Sequence, residues 1–190
     1  MNNFKNTLLT LTCLIQQLLF AQINTQNIEI VRDNYGVPHI FTKTDAELAY
    51  GLAWAHAEDD FKTTQQAYLA GNSLLSTVIG KNGLGADYIA QFIGSEKLID
   101  DNYENNVSSE YKKVLEGYAA GINSYATHHP EEVLSKKLFP ITPKKMMLYA
   151  QLQLFVSSKG DYWVKNILND KIKYNPPADE VKGSNTFAFN

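Results

Sequence analysis

The sequence is poor in cysteine and histidine, and this limits the chemistry that the chain can carry. Its only cysteine, Cys13, lies in the apolar run near the amino terminus. The rest of the chain therefore has no disulfide, no thiol nucleophile and no cysteine ligand for a metal. The four histidines include no HExxH-type pair, which would place two metal ligands on one helix face.

The chain also lacks an excess of positive charge and a long apolar run. Its formal net charge is −3 at neutral pH, which argues against a nucleic-acid partner because such a partner calls for a basic face. The apolar run over residues 8–21 is interrupted by Gln16 and Gln17. A stable membrane span needs about 20 predominantly apolar residues, and this run is too short and too polar to supply them.

The same run has the layout of a secretory signal peptide. Lys5 precedes the run. The run ends at the small residue Ala21, and the polar Gln22 follows. We therefore predict a signal peptide over residues 1–21 and a periplasmic or secreted protein. An amino-terminal anchor is the alternative.

Residues 28–41 predict a β-hairpin. IEIV is rich in β-branched residues, Asn34-Tyr35-Gly36 is a turn signal, and VPHIF resumes the apolar pattern. We expect Pro38 at a strand start or an edge because it has no N–H to donate to a neighbouring strand.

Two long helices are predicted from capping and spacing. The first begins with the capping box Thr44-Asp45-Ala46-Glu47 and runs to about Ala70. It is apolar on nearly every side, which is typical of a buried helix. Another runs from Ser108-Ser109 to His128-His129-Pro130, and its apolar residues recur at helical spacing.

The other segments are predicted more coarsely. GKNGLGA, residues 80–86, is interpreted as a loop, and a helix follows from Asp87 to about Asp101. A further helix opens at Thr142-Pro143, an N-cap followed by proline at the first helical position. Residues 159–183 are more polar and predict a spacer, while SNTFAFN at the end alternates like a strand.

Polar residue types alone give weak indications of a site. Glu58-Asp59-Asp60 are consecutive and do not face each other on a helix, so a helix-end or solvated cluster is favoured over paired catalytic acids. His128-His129 lie at a helix end without a third metal ligand nearby. His56 is typical of a hydrogen-bonded core residue, and His39 either packs structurally or faces a site.

The order of several motifs is more informative. IVRDNYGVPHIFTKTDAELAYGLAWAHAEDDF, residues 30–61, resembles the opening of the penicillin acylase family of N-terminal-nucleophile hydrolases. GYAAGIN (117–123) and PITP (140–143) resemble later landmarks of that family, and ADYIAQF (86–92) looks closer to its homoserine-lactone and lipopeptide acylase branch. GSNTFAFN (183–190) resembles the junction at which the family's precursors are cut.

The resemblance implies an α+β fold and a self-cleaving precursor. Residues 22–158 would supply the helical lobe and the first edge of a four-layer αββα fold as the amino-terminal, α-chain part. Residues 159–183 would be the spacer, and 184–190 the start of the β chain, cut short within the nucleophile strand. Ser184 would be the nucleophile and, once freed at the Gly183 junction, would supply the amine base. Asn185 would either help to place the amine or the oxyanion or be a plain strand residue.

The resemblance also implies ligands and partners. Leu154, Phe155 and Ser158 would line the acyl pocket, although core packing is an equal alternative, and Asp161 would contribute to a structural calcium site. No cofactor is expected for catalysis. The expected partners are the downstream β chain and a small amide of penicillin, homoserine-lactone or lipopeptide type. A non-catalytic periplasmic helical module and a non-maturing acylase relative are the competing interpretations.

Overall fold

The structure, a computed structural model, describes residues 23–169, with the backbone alone for Asp161 and Leu168. Two strands form an antiparallel hairpin, β1 (Glu29–Arg32) and β2 (Pro38–Phe41). The helices of this described part follow in the order α1 (Asp45–Gly71), α2 (Ser76–Ile79), α3 (Leu84–Ile93), α4 (Ser95–Asn106), α5 (Ser109–His128), α6 (Pro143–Ser157) and α7 (Gly160–Leu168). The chain divides into two units, one ending at Leu154 and one beginning at Phe155.

The hairpin is confirmed, with Pro38 as the first residue of β2. The Asp33 carboxylate accepts hydrogen bonds from the backbone N–H groups of Tyr35 (2.8 Å) and Val37 (3.0 Å). Gly36 takes a positive φ of 81°, which completes the turn at no steric cost. The register then pairs Ile30 with Ile40.

The predicted capping box opens α1. Thr44 Oγ1 accepts from the Glu47 N–H at 3.2 Å, and Glu47 accepts from the Thr44 N–H at 3.1 Å. Glu47 also accepts from the Lys43 N–H at 3.1 Å and from Asn27 Nδ2 at 2.9 Å. The cap therefore also ties the segment before β1 to the start of the helix.

A kink divides α1 at Asp60, whose φ of −159° and ψ of 78° are not helical. The Asp60 carboxylate accepts from the Thr63 N–H at 2.9 Å and so caps the second half of the helix. This agrees with the helix-end interpretation of the acidic cluster. The expectation that α1 is buried all round is wrong, because Leu48 and Leu52 are exposed.

The main core lies where α1 meets α5, and two glycines allow the close approach. A Cβ atom at Gly117 would overlap the Ala46 carbonyl oxygen, and one at Gly121 would overlap the Tyr50 carbonyl oxygen. The two backbones are thus in direct contact one helical turn apart. The buried residues around this contact are Ala53, Ala57, Phe61, Tyr68, Leu69, Ala119, Ile122, Tyr125, Ala126, Leu138 and Ile141.

Two amide side chains, one buried and one half-buried, hold the connecting loops against this core. Gln65 is fully buried; its Nε2 donates to the Glu132 carbonyl at 3.0 Å, and its Oε1 accepts from the Leu134 N–H at 2.8 Å. Asn123 bonds to the backbone of Ile141 in the same way: its Oδ1 accepts from the Ile141 N–H at 2.7 Å, and its Nδ2 donates to the Ile141 carbonyl at 2.8 Å. These bonds satisfy loop groups that would otherwise be buried without partners.

Two local predictions need correction. Residues 80–86 are not all loop, because a 3-10 turn spans Gly80–Gly83 and α3 already begins at Leu84. The helix expected from Asp87 to about Asp101 is two helices, α3 and α4. Gly94 interrupts it in the left-handed conformation, with φ of 66° and ψ of 25°, a conformation that ends helices.

The second unit is short. The ring of Phe155 lies against the backbone of Gly160, where a Cβ would approach to 2.5 Å. The helix α7 that begins at Gly160 occupies the start of the segment predicted as a spacer. The remainder of that segment lies outside the described residues.

Candidate functional site

The residues expected to carry the chemistry lie outside the described residues. Gly183, Ser184 and Asn185 follow the last described position, and their roles stay predictions. Asp161 lies in the first turn of α7, and its side chain is likewise not described. The roles of these four residues are therefore carried by sequence alone.

The three expected pocket residues lie at the end of α6 and just after it. Leu154 is the last residue of the first unit, and 60% of its surface is exposed. Phe155 is half-buried and Ser158 is exposed in the turn that leads to α7. Leu154 is therefore not among the buried core residues of the described part, and the pocket role of all three residues stays a prediction.

The described residues contain a groove that sequence reasoning did not single out. It has a volume of about 350 Å³ and lies among α1, α5 and α6. We call it the tyrosine groove; its lining residues are Tyr68, Tyr111, Val114, Leu115, Tyr118, Met146, Met147, Tyr149 and Ala150. The signal available in the sequence was the helical spacing of Tyr111, Val114, Leu115 and Tyr118, which was interpreted as core alone.

Hydroxyl groups form a chain beside this apolar groove. The Tyr68 and Tyr118 hydroxyls are hydrogen-bonded to each other, and Tyr118 Oη lies 2.9 Å from Nδ1 of His56 on the surface. Burial raises the pKa of both phenols, because the charged phenolate loses its hydration. The groove therefore presents the neutral hydroxyls of Tyr68 and Tyr118 beside its apolar lining.

The remaining histidines have local partners. His56 is hydrogen-bonded as predicted, but it is exposed and not part of the core. His39 Nε2 lies 3.4 Å from Oδ2 of Asp33. His128 Nδ1 lies 2.8 Å from the Ser124 carbonyl within its own helix. Neither His39 nor His128 lines the tyrosine groove.

The statement that His129 lacks nearby ligands also needs correction. Its Nδ1 lies 3.8 Å from Glu131 and 3.5 Å from Glu132, and the three ligand atoms lie within 4.8 Å of one another. Pro130 starts the 3-10 turn that brings them together. His129 is half-buried and both acids are exposed, and exposed acidic groups of this kind are common without a bound metal.

Arg32 links the hairpin to the acidic cluster. Its guanidinium donates to Glu58 at 3.1 Å, Asp59 at 2.8 Å and the Gly36 carbonyl at 2.8 Å. The hydrogen bond to Glu58 is the main reason that the pKa of Arg32 is raised. Glu58 and Asp59 thus hold the hairpin against α1, and their role in the described structure is structural.

Comparison with known proteins gives a consistent result. A sequence model of the penicillin amidase family matches residues 27–190. Penicillin G acylase of Escherichia coli is 28% identical in an alignment 154 residues long, which covers 74% of this chain and 17% of that protein. Acyl-homoserine lactone acylase PvdQ of Pseudomonas syringae pv. syringae is 27% identical in an alignment 103 residues long, which covers 50% of this chain and 13% of that protein.

A solved structure shares the fold. The thermostable penicillin G acylase from Alcaligenes faecalis has a TM-score of 0.54 and 19% identity, covering 86% of this chain and 98% of the solved chain. The matched part of this chain makes up about a sixth or less of the curated relatives, 17% and 13% of the two named above. Because the family match extends over most of the sequence, the chain belongs to the penicillin amidase family.

Proposed function

We propose that this chain is the amino-terminal part of a precursor that cuts itself before Ser184 and then hydrolyses a linear amide. The observation that carries the proposal is the family match over residues 27–190, which includes Gly183-Ser184-Asn185. Family membership alone supports amide hydrolysis. The nucleophile and the self-cleavage are the further steps that we propose.

Chain lengths support a product of two chains. The solved penicillin G acylase chain is matched over 98% of its length, whereas the E. coli acylase is matched over 17%. A separate chain of about this extent thus occurs in one relative, and a much longer polypeptide in another. Cleavage near the end of the matched region accounts for both.

The cleavage step uses the side chain of Ser184 and the backbone of Gly183. The Ser184 hydroxyl attacks the Gly183 carbonyl carbon, the C–N bond breaks, and the Ser184 nitrogen takes up the proton as a free amine. Gly183 has no Cβ to obstruct this approach. Water then hydrolyses the ester between the two residues, which leaves a Gly183 carboxylate and restores the Ser184 hydroxyl.

Amide hydrolysis repeats the chemistry on a substrate. The α-amine of Ser184, with a reference pKa of about 8, takes the hydroxyl proton directly or through a water. The hydroxyl oxygen bonds to the substrate carbonyl carbon, the amine leaves with a proton, and water releases the acid. Asn185 lies beside the nucleophile and would help to hold the amine or the oxyanion.

The rest of the site comes from sequence beyond this chain. Oxyanion-hole donors contribute roughly 3–4 kcal/mol each, and none is assigned among these 190 residues. We therefore expect no activity from this chain alone. Leu154, Phe155 and Ser158 would form one wall of the acyl pocket, and the choice between penicillin-type, homoserine-lactone and lipopeptide substrates would depend on the other walls.

The proposal also includes a structural calcium site and secretion of the protein. Asp161 would be one ligand of a structural calcium that takes no part in the reaction. Metal analysis of the mature protein and of Asp161→Asn tests this role: the variant should lose the calcium and melt at a lower temperature. The signal peptide proposed over residues 1–21 would direct the protein to secretion. Among the described residues, no helix is long and apolar enough to cross a membrane.

The test is to express the complete reading frame and determine the amino termini of the purified product. We expect one new terminus at Ser184 in the wild type and none in Ser184→Ala. Ser109→Ala, which changes an exposed serine in α5, is the matched control and should mature normally. The mature protein should release acid from penicillin G or from an N-acyl homoserine lactone.

Each alternative outcome has a distinct meaning. An uncut wild type that hydrolyses nothing would identify a non-maturing relative and reject the proposal. An uncut protein that still hydrolyses these amides would reject Ser184 as the nucleophile. Cleavage that persists in Ser184→Ala would reject the self-cleavage mechanism.

A further inference from the structure

Helix α3 exposes large apolar side chains although its one buried residue is an acid. Its only buried residue is Asp87, whereas Leu84, Tyr88 and Phe92 are 56%, 51% and 59% exposed. These three residues are spaced at i, i+4 and i+8, so they form one stripe along the helix. We call them the α3 stripe.

Asp87 fixes this orientation. Its carboxylate accepts from the backbone N–H groups of Leu75 at 2.8 Å and Ser76 at 2.9 Å, where α2 begins. Rotating the helix to bury the stripe would remove the acceptor from two backbone donors, each costing about 1–3 kcal/mol when left unpaired. The outward direction of the stripe is therefore set by the fold.

Two rings of the stripe contact each other. The rings of Tyr88 and Phe92 are stacked, with centroids 6.2 Å apart and planes at 20°. From Leu84 to Phe92 the stripe extends about 12 Å along the helix, eight residues at 1.5 Å each. A continuous exposed apolar patch of this kind is typical of a contact surface.

The chemistry of α3 argues against a membrane as the occupant. Helices that lie on lipid surfaces are rich in Lys and Arg along their polar face, and residues 84–93 contain neither. The next helix, α4, carries Glu96, Asp100, Asp101 and Glu104 against Lys97 alone. Asp100, Asp101 and Glu104 are paired with Lys144, Lys97 and Lys112, so these lysines already have acidic partners and offer no free basic face to an anionic bilayer.

The size of the stripe argues against a freely diffusing partner. Aromatic side chains bury about 150–250 Å² each, so three side chains supply a few hundred Å². Stable interfaces between separate proteins bury roughly 1,200–2,000 Å². A segment of the same polypeptide needs far less area, because its tether raises the local concentration before any cut is made.

We propose that the α3 stripe is the contact surface for the polypeptide that follows Ser184 in the precursor. This rests on the proposed function, in which that polypeptide becomes the second chain. Its length is in keeping with the relatives, since the matched region makes up 17% of the E. coli acylase. The covering surface should be apolar and should exclude water from the rings of Tyr88 and Phe92.

Hydroxyl-radical footprinting of the full-length protein tests the contact. Tyr35, 92% exposed at the hairpin turn, is the exposed reference, and buried Tyr68 is the protected reference. We expect Tyr88 and Phe92 to be labelled as slowly as Tyr68. Labelling of Tyr88 at the rate of Tyr35 would overturn the proposal.

The other occupants give different results in the same experiment. Protection that appears only after vesicles of anionic phospholipid are added would assign the stripe to a membrane. Protection that disappears on dilution would assign it to a second copy of the chain. Either result overturns the proposal.

The test is separable from the proposed function because footprinting needs no cleavage. If the wild type is uncut and Tyr88 is protected, the proposed function fails while the contact stands. If the wild type matures and Tyr88 is labelled freely, the contact fails while the function stands. In a protein that matures, Tyr88→Ser with Phe92→Ser should weaken retention of the second chain during gel filtration, and Tyr35→Ser should not.

Discussion

At the scale of single residues, the glycines of the GYAAGIN landmark have a clear physical role. Gly117 and Gly121 lie where α5 touches the backbone of α1, and a methyl group at either position would overlap a carbonyl oxygen. The helices have to separate to admit it, which strains the surrounding core. Gly85 is in α3 with nothing within 4 Å of its missing side chain.

We therefore expect Gly117→Ala to destabilise the protein and Gly85→Ala to leave it unchanged or stabilise it. The first change should lower the free energy of unfolding by about 1–3 kcal/mol or more through overpacking. The second should gain up to about 1 kcal/mol from better helix propensity. Urea unfolding of the full protein, with hydrogen exchange of α5 peptides, measures both, and equal effects would contradict the close-contact explanation.

Gln65 provides a second prediction at this scale. Gln65→Leu keeps the volume but leaves the Glu132 carbonyl and the Leu134 N–H without their partner. The expected loss is about 1–3 kcal/mol for each buried group left unpaired. Gln66→Leu, at the half-buried neighbouring position, should have a much smaller effect in the same thermal unfolding experiment; a comparable loss would mean that the amide bonds are not responsible.

Neither role was predictable from the sequence. Gly117 and Gly121 could be noted as part of a landmark, but the reason for them is a carbonyl on another helix. Gln65 is one of two adjacent glutamines in a long helix, and its partners are 67 and 69 residues away. Only local patterns are visible in a sequence, whereas these contacts depend on how distant segments pack.

At the scale of elements, features with local causes were predictable. The capping box at Thr44 and the turn before Pro38 involve residues only a few positions apart, and both are confirmed. The break at Gly94 was missed because glycine is tolerated inside helices and only its backbone conformation marks an end. The kink at Asp60 was missed for a similar reason, since its acids fit a continuous helix pattern equally well.

The start of α1 yields a prediction about pH. The pKa of Glu47 is lowered, chiefly by the hydrogen bond from Asn27 and then by the backbone donors of Lys43 and Thr44. A lowered pKa in the folded state means that ionised Glu47 stabilises the fold above its unfolded pKa, near 4.5. This contribution is lost as the pH falls from there through the folded pKa.

Melting temperatures of wild type and Glu47→Gln should therefore differ at neutral pH and converge as the pH falls below about 4.5. The exposed first-turn acid of α4 provides the control, Glu96→Gln, for which the difference should be small at both pH values. A Glu47→Gln difference that persists unchanged into the acid range would mean that the carboxylate charge is not the stabilising feature.

At the scale of the whole molecule, the described chain combines a well-satisfied interior with an apolar exterior. Among the described residues, no buried side-chain nitrogen or oxygen lacks a hydrogen-bond partner. Large apolar side chains nevertheless face outward on the hairpin, on α3 and at the end of α6. A chain that satisfies its polar groups but not its apolar surface is typical of one part of a larger folded body.

This combination predicts opposite effects for one set of substitutions. In residues 22–190 expressed alone, the α3 stripe faces water and favours self-association, so Leu84→Ser, Tyr88→Ser and Phe92→Ser together should raise the soluble yield. In the full-length protein the stripe is covered, so the same changes remove buried apolar contacts worth about 1.5–3 kcal/mol per side chain. There they should lower the melting temperature and weaken retention of the second chain. Tyr35→Ser, which changes a residue that is 92% exposed in the described structure, should alter neither preparation. If the triple substitution changed the soluble yield of residues 22–190 and the melting temperature of the full-length protein in the same direction, the stripe would be ordinary surface.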